Sequence, residues 1–234
     1  MQSPVGGSVV EPEKRKQRFE LYESIVLSIA IIGTAWSAYE ASRWNGIQTF
    51  RLAEAGMASR AALEKHLFTE QQFTLDATAV MHIVDALIEG KSNIVDFYVK
   101  RIRPELRAPV GAWLALRPLE NPNTPANPLV MAQYTDGVLG PARAEVRKLQ
   151  ADADRQIALA QEANQRSNRY VLFTVLLASV LFFTGISGKF DPGRTRTILL
   201  ILAAIVLLVV AGLLITAPVA PAYRDRPGIG GSSA

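Results

Sequence analysis

The sequence predicts an all-α integral membrane protein with three transmembrane helices and an extramembrane helical hairpin or bundle between spans one and two. Two observations carry this. Three stretches are long, apolar and nearly free of charge. The block between the first two is rich in Ala, Glu, Gln and Arg and lacks alternating β-branched runs, a composition of helices rather than strands.

The strongest stretch is Ile198–Ala217, twenty residues without a charge, fourteen of them Leu, Ile or Val. Those fourteen favour insertion by about 4 to 8 kcal/mol. Residues 169–187 form the second span and 21–40 the first, which carries the acid Glu23 near its start. About 20 apolar residues cross ~30 Å of hydrocarbon, so each is long enough.

Topology follows from the flanks. Lys14, Arg15, Lys16 and Arg18 precede span one, and Lys189, Arg194 and Arg196 lie in the 188–197 turn. Basic residues in short segments stay cytoplasmic. The expectation is a bacterial cytoplasmic (inner) membrane protein with its N-terminus inside and residues 41–168 outside. Trp36, Tyr39 and Glu40 spoil a small-residue cleavage site, so span one reads as an uncleaved anchor.

Residues 1–20 read as a basic cytoplasmic segment, irregular over 1–13, and 218–234 as a disordered tail rich in Pro and Gly. From Ala41 to Glu89 no proline interrupts the chain, and Val80, Ile83, Val84, Leu87 and Ile88 recur at helical spacing. Gly90 reads as a helix stop and Ser92 or Asn93 as the next start. A helix over 93–103 meets Pro104, and a short helix over 105–116 follows. Residues 118–128 hold four prolines and three asparagines and read as an exposed loop. Pro141 suits the first turn of a last helix running through 142–168 into span two.

On that helix Val146, Leu149, Ala153, Ile157 and Ala160 form a coiled-coil-like stalk seam with small residues at one position. Ala53, Ala55, Ala58, Ala61 and Ala62, just beyond span one, are its expected antiparallel partners. Within span one, Ala30, Gly33, Thr34, Ser37 and Ala38 offer a small-residue face for close helix packing in lipid.

Chemical motifs are sparse. With no cysteine there is no disulfide, thiolate metal site or thiol nucleophile. His66 with Glu70, His82 with Asp85, and Asp85 with Glu89 share helix faces at chelating spacing. Zinc sites gather three or four ligands, so these read as solvated surface, and no metal, cofactor or catalytic residue is expected. Phosphate loops, nucleophile elbows and intramembrane charge relays are missing, which argues against an enzyme and against a transporter. Residues 41–168 carry fifteen Lys/Arg against fourteen Asp/Glu, which gives no footprint for nucleic acid.

The most distinctive cluster is Trp36, Tyr39, Glu40, Arg43 and Trp44 at the outer end of span one. It reads as an interfacial aromatic belt with a local charge pair. The run Thr34-Ala-Trp-Ser-Ala-Tyr-Glu-Ala-Ser-Arg-Trp44 resembles the DUF4337 type of small bacterial membrane protein. In that group a similar first span is followed by a charged helical block and two closing spans. Where the group has Tyr-Gln-Ala-Lys, this chain has Tyr39-Glu40-Ala41-Ser42. The resemblance implies the layout and brings no activity. The expected role is a non-enzymatic interaction or scaffold subunit, with a ligand sensor signalling through a separate partner as the alternative. Its expected partners are the lipid bilayer and a second copy or another membrane protein.

Overall fold

The computed structural model describes the backbone of residues 10–191 and 193–221, with side chains from Lys16 onward. The chain is helical, and among the described residues there is no strand. Helix α1 spans Val10–Ile88, α2 Ser92–Arg101, α3 Pro104–Ala115, α4 Ala132–Thr135, α5 Leu139–Ser187 and α6 Arg194–Thr216; a 3₁₀ turn occupies Pro128–Val130. Parts of α1 and α5, and the whole of α6, are long and apolar enough to cross a membrane.

No proline falls between Pro12 and Pro104, which is why α1 runs unbroken for 79 residues. It begins earlier than the sequence reading allowed. Val10–Glu13, expected to be irregular, are helical. Pro12 sits in the first turn, where its missing N–H leaves no bond unmade, and flanking acids suit a helix N-terminus. The expectations for residues 1–9 and 222–234 lie outside the described residues.

Gly90 ends α1 as its position suggested. Its φ is +70°, its N–H donates to the Leu87 carbonyl, and the Lys91 N–H donates to that of Ala86. That bond pattern is a Schellman closure, which requires the left-handed conformation glycine adopts freely. Pro104 opens α3 at its first position, and Pro109 lies buried inside that helix. Residues 118–128 form an ordered loop, with Trp113 Nε1 donating to the Pro125 carbonyl (2.7 Å) and Thr124 Oγ1 to that of Leu116 (3.2 Å).

The chain divides into two compact units. Unit 1 comprises residues up to Arg51 and from Leu159 on; unit 2 is Leu52–Ala158. Unit 1 is a three-helix bundle whose core includes Ala30, Trp44, Tyr170, Phe173, Leu177, Val180, Ala203 and Val210. Steps forward along α1 match steps backward along α5: Glu23 meets Ser187, Gly33 lies against Leu177, and the Ala41 carbonyl accepts from Ser167. Steps along α6 follow α1 in the same direction, from Arg196 beside Glu23 to Ala220 beside Glu40.

Unit 2 packs the end of α1 against α2, α3 and α4 around Val80, Ile83, Leu106, Val110 and Tyr134. Nearer its start, α1 lies alongside α5, with the Lys65 ammonium 2.7 Å from the Glu145 carboxylate. From Ala55 to Asp76 α1 buries one residue per heptad, at Ala55, Ala62, Thr69 and Asp76, and α5 buries Val146 and Ala153. A contact this narrow uses small residues so that two backbones can approach.

Candidate functional site

Three buried carboxylates organise the molecule, each spent on a clamp between segments distant in sequence. Two of them, Glu23 and Glu40, lie in unit 1 on α1. The seventeen helical steps from one to the other rise about 26 Å, close to the thickness of a bilayer core.

At the Glu23 end, Arg196 in the first turn of α6 donates from Nε to Glu23 Oε1 (2.9 Å) and from Nη2 to Oε2 (2.8 Å). Ser187, the last residue of α5, donates its hydroxyl to Oε1 at 2.7 Å. All three helices are joined at one carboxylate, and both charged side chains are buried. The Phe19 ring covers the Arg196 guanidinium from 5.3 Å. Fork-shaped pairing satisfies two donors with two acceptors, the arrangement in which a desolvated ion pair is tolerated.

At the Glu40 end the chain segment after α6 is held. Glu40 is fully buried; its Oε2 accepts the Ala220 backbone N–H (2.8 Å) and its Oε1 accepts from Arg43 Nη1 (3.1 Å). Arg43 Nη2 donates to the Pro221 carbonyl (2.5 Å). The Pro218 carbonyl accepts from Trp44 Nε1 (3.3 Å) and from the Tyr170 hydroxyl (3.2 Å). Arg166 stacks over the outer face of Trp44 at 4.6 Å. Residues 218–221, assigned to a disordered tail from composition, are thus tied down by four side chains.

The third carboxylate, Asp76, lies in unit 2. Arg103 donates from Nε to Oδ1 (2.7 Å) and from Nη2 to Oδ2 (2.6 Å), and the Tyr134 hydroxyl donates to Oδ2 (2.7 Å). Burial, then the hydrogen bond to Asp76, then the charge of Asp76 hold the Tyr134 phenol above its ordinary range. The hydrogen bond to Asp76 likewise raises Arg103, against the opposing effect of burial. Asp76 thereby fixes the α2–α3 junction and α4 onto α1.

The residues singled out from the sequence divide between inside and outside. Trp36 and Tyr39 are exposed on the bundle surface, whereas Glu40, Trp44 and most of Arg43 turn inward to the clamp. On span one, Ala30 and Ser37 are buried, Gly33 and Thr34 half-buried, and Ala38 exposed. Ser37 Oγ has no hydrogen-bond partner. On the stalk, Val146, Ala153 and Ala160 are buried and Leu149 half-buried, but Ile157 is 38 % exposed. Spacing placed Ile157 in the seam, yet a stripe of one residue per heptad leaves the intermediate positions leaning outward.

His66 and Glu70 line a groove of about 250 Å³ with Arg143, Arg147 and Gln150. Among the described residues no three His, Cys, Asp or Glu side chains gather as a metal would need. His82 instead stacks on Tyr98, with centroids 5.4 Å apart.

Sequence reasoning paired Glu40 with Arg43 but missed the distant partners of all three carboxylates. A signal for one existed: an acid inside an apolar span demands a counter-charge, and Arg196 lies at the matching depth. Comparison of the chain with family models, curated proteins and solved structures finds no match.

Proposed function

We propose that this chain is a non-enzymatic interaction subunit of a bacterial inner membrane. It is held there by three spans, with the N-terminus inside and residues 41–168 outside as a helical hairpin and cap. Its partner docks along α1 beyond span one. The observation that carries this reading is the second face of α1 in unit 2. Besides the buried heptad positions, the helix presents Leu63, Leu67, Met81 and Ile88 at 56 %, 52 %, 65 % and 65 % exposure. Leu67, Thr74, Met81 and Ile88 are seven apart, so they stand on one face. Soluble surfaces rarely leave such an apolar stripe uncovered unless it binds something. The buried carboxylates support the same reading, since each is consumed by structural contacts rather than left available for proton transfer.

The test is a Leu67→Asp/Met81→Asp double variant extracted in mild detergent. Both residues are exposed, so the fold should survive. The wild-type chain should purify with a stoichiometric second protein or as an oligomer, and the variant should lose it. A wild-type chain that extracts from its native membrane alone and monomeric would sink the proposal.

The sensor reading has one observation in its favour: beside Glu70, the groove offers the two guanidinium groups of Arg143 and Arg147 as donors to a small anion. Inorganic phosphate should then raise the melting temperature of the wild type and not of an Arg143→Gln/Arg147→Gln variant. No shift in either removes that reading.

A further inference from the structure

We infer that the outer end of the three-helix bundle is a recognition site for an extended, proline-bracketed peptide, and that Pro218–Pro221 fills it as a tethered ligand. The inference is independent of docking along α1.

The argument rests on how the segment is held. Every hydrogen bond to it is made to the main chain. Trp44 and Tyr170 donate to the first proline's carbonyl, Arg43 donates to the second proline's carbonyl, and Glu40 accepts the N–H of Ala220 between them. Three donors facing carbonyls and one acceptor facing a single N–H match a segment whose bracketing residues cannot donate, and proline is the residue without a donor. Proline also sets φ near its extended value, so such a segment is ordered at low entropic cost and is a recurrent target of aromatic-lined grooves.

Side-chain selectivity is legible as well. The Val219 side chain is largely exposed, so that position is free, whereas Ala220 is buried to its methyl and admits nothing larger. The preference is therefore Pro-x-Ala-Pro. Glu40 gives the site its energetic weight. Fully buried, it needs both the Arg43 and the Ala220 contact, and an empty site would leave half of its acceptor capacity unmet.

A full-length Val219→Cys chain carries a single thiol at an exposed position, on which a bimane label would be quenched by nearby Trp44. A blocked Ala-Pro-Val-Ala-Pro peptide added in trans should displace the tail and brighten the label. Half-effect is expected near ~1 mM, the effective concentration of a tethered competitor. Ala-Pro-Val-Leu-Pro should fail, because leucine does not fit the Ala220 position. An Arg43→Gln chain, lacking the contact to the second proline's carbonyl, should be brighter before any peptide is added and need a higher peptide concentration for the remaining change. The inference is overturned if Ala-Pro-Val-Ala-Pro brightens neither chain at tens of times that concentration, or if the leucine peptide works equally well.

Discussion

Removing the charge of Asp76 should loosen one part of the molecule selectively. In Asp76→Asn the side chain keeps its shape and still accepts from Tyr134, but Arg103 loses its fork-shaped partner. Breaking a fully buried ion pair on one side costs about 3–5 kcal/mol. Two features pull this case to the lower end. The Arg103 side chain is 29 % exposed, and its Nη1 lies 3.6 Å from Glu105, which remains. The expected cost is about 3 kcal/mol, or roughly a hundredfold faster opening of the segments that Asp76 holds. Amide hydrogen exchange in α2 to α4 reads this directly, because it resolves local from global opening. Arg103→Met added to Asp76→Asn should recover part of the loss, since no charge is then stranded. An exchange change below about threefold would refute the reasoning, since that is less than 1 kcal/mol. A double variant worse than the single would refute it too.

Ala153→Leu places a large side chain in the narrow α1–α5 contact of unit 2 and should destabilise by about 1–3 kcal/mol in a thermal melt, whereas Arg155→Leu on the exposed face should stay within about 0.5 kcal/mol. Because the Tyr134 phenol is raised in the fold, its contribution is complete below the ordinary tyrosine value of about 10 and is lost as pH climbs beyond it. The wild-type melting temperature should therefore fall through that range more steeply than that of Tyr134→Phe, and equal slopes would contradict the assignment. Arg117 holds φ at 51° just after α3, so Arg117→Gly should stabilise by about 1 kcal/mol, and a loss of stability would show that its ion pair with Glu120 matters more than the backbone strain.

Much of the helical framework was legible because it is written locally. Apolar runs marked the three long helices, Gly90 marked the end of α1, and Pro104 marked the junction of α2 and α3. The heptad of Val146 and Ala153 was visible as small residues at fixed spacing. What periodicity does not carry is which distant face a residue meets. Asp76 finds Tyr134 and Glu23 finds Arg196 across long stretches of chain, and nothing in either neighbourhood names the partner. The Glu40 cluster shows the same limit. Its composition fits a membrane-interface belt, and only three-dimensional placement separates the outward Trp36 and Tyr39 from the inward Glu40 and Trp44. Composition also misled at the C-terminal side of α6. Prolines at 218 and 221 read as disorder, whereas here they expose carbonyls that the bundle grips.

The most direct test of the account is the sidedness of the chain in a bacterial membrane, because the proposed role requires residues 41–168 to face outward. A reporter active only outside the cytoplasm should work when fused after Pro122 or at Ala234 and be silent when fused after Asp191. Activity at Asp191 with silence at Pro122 would invert the topology and contradict the account.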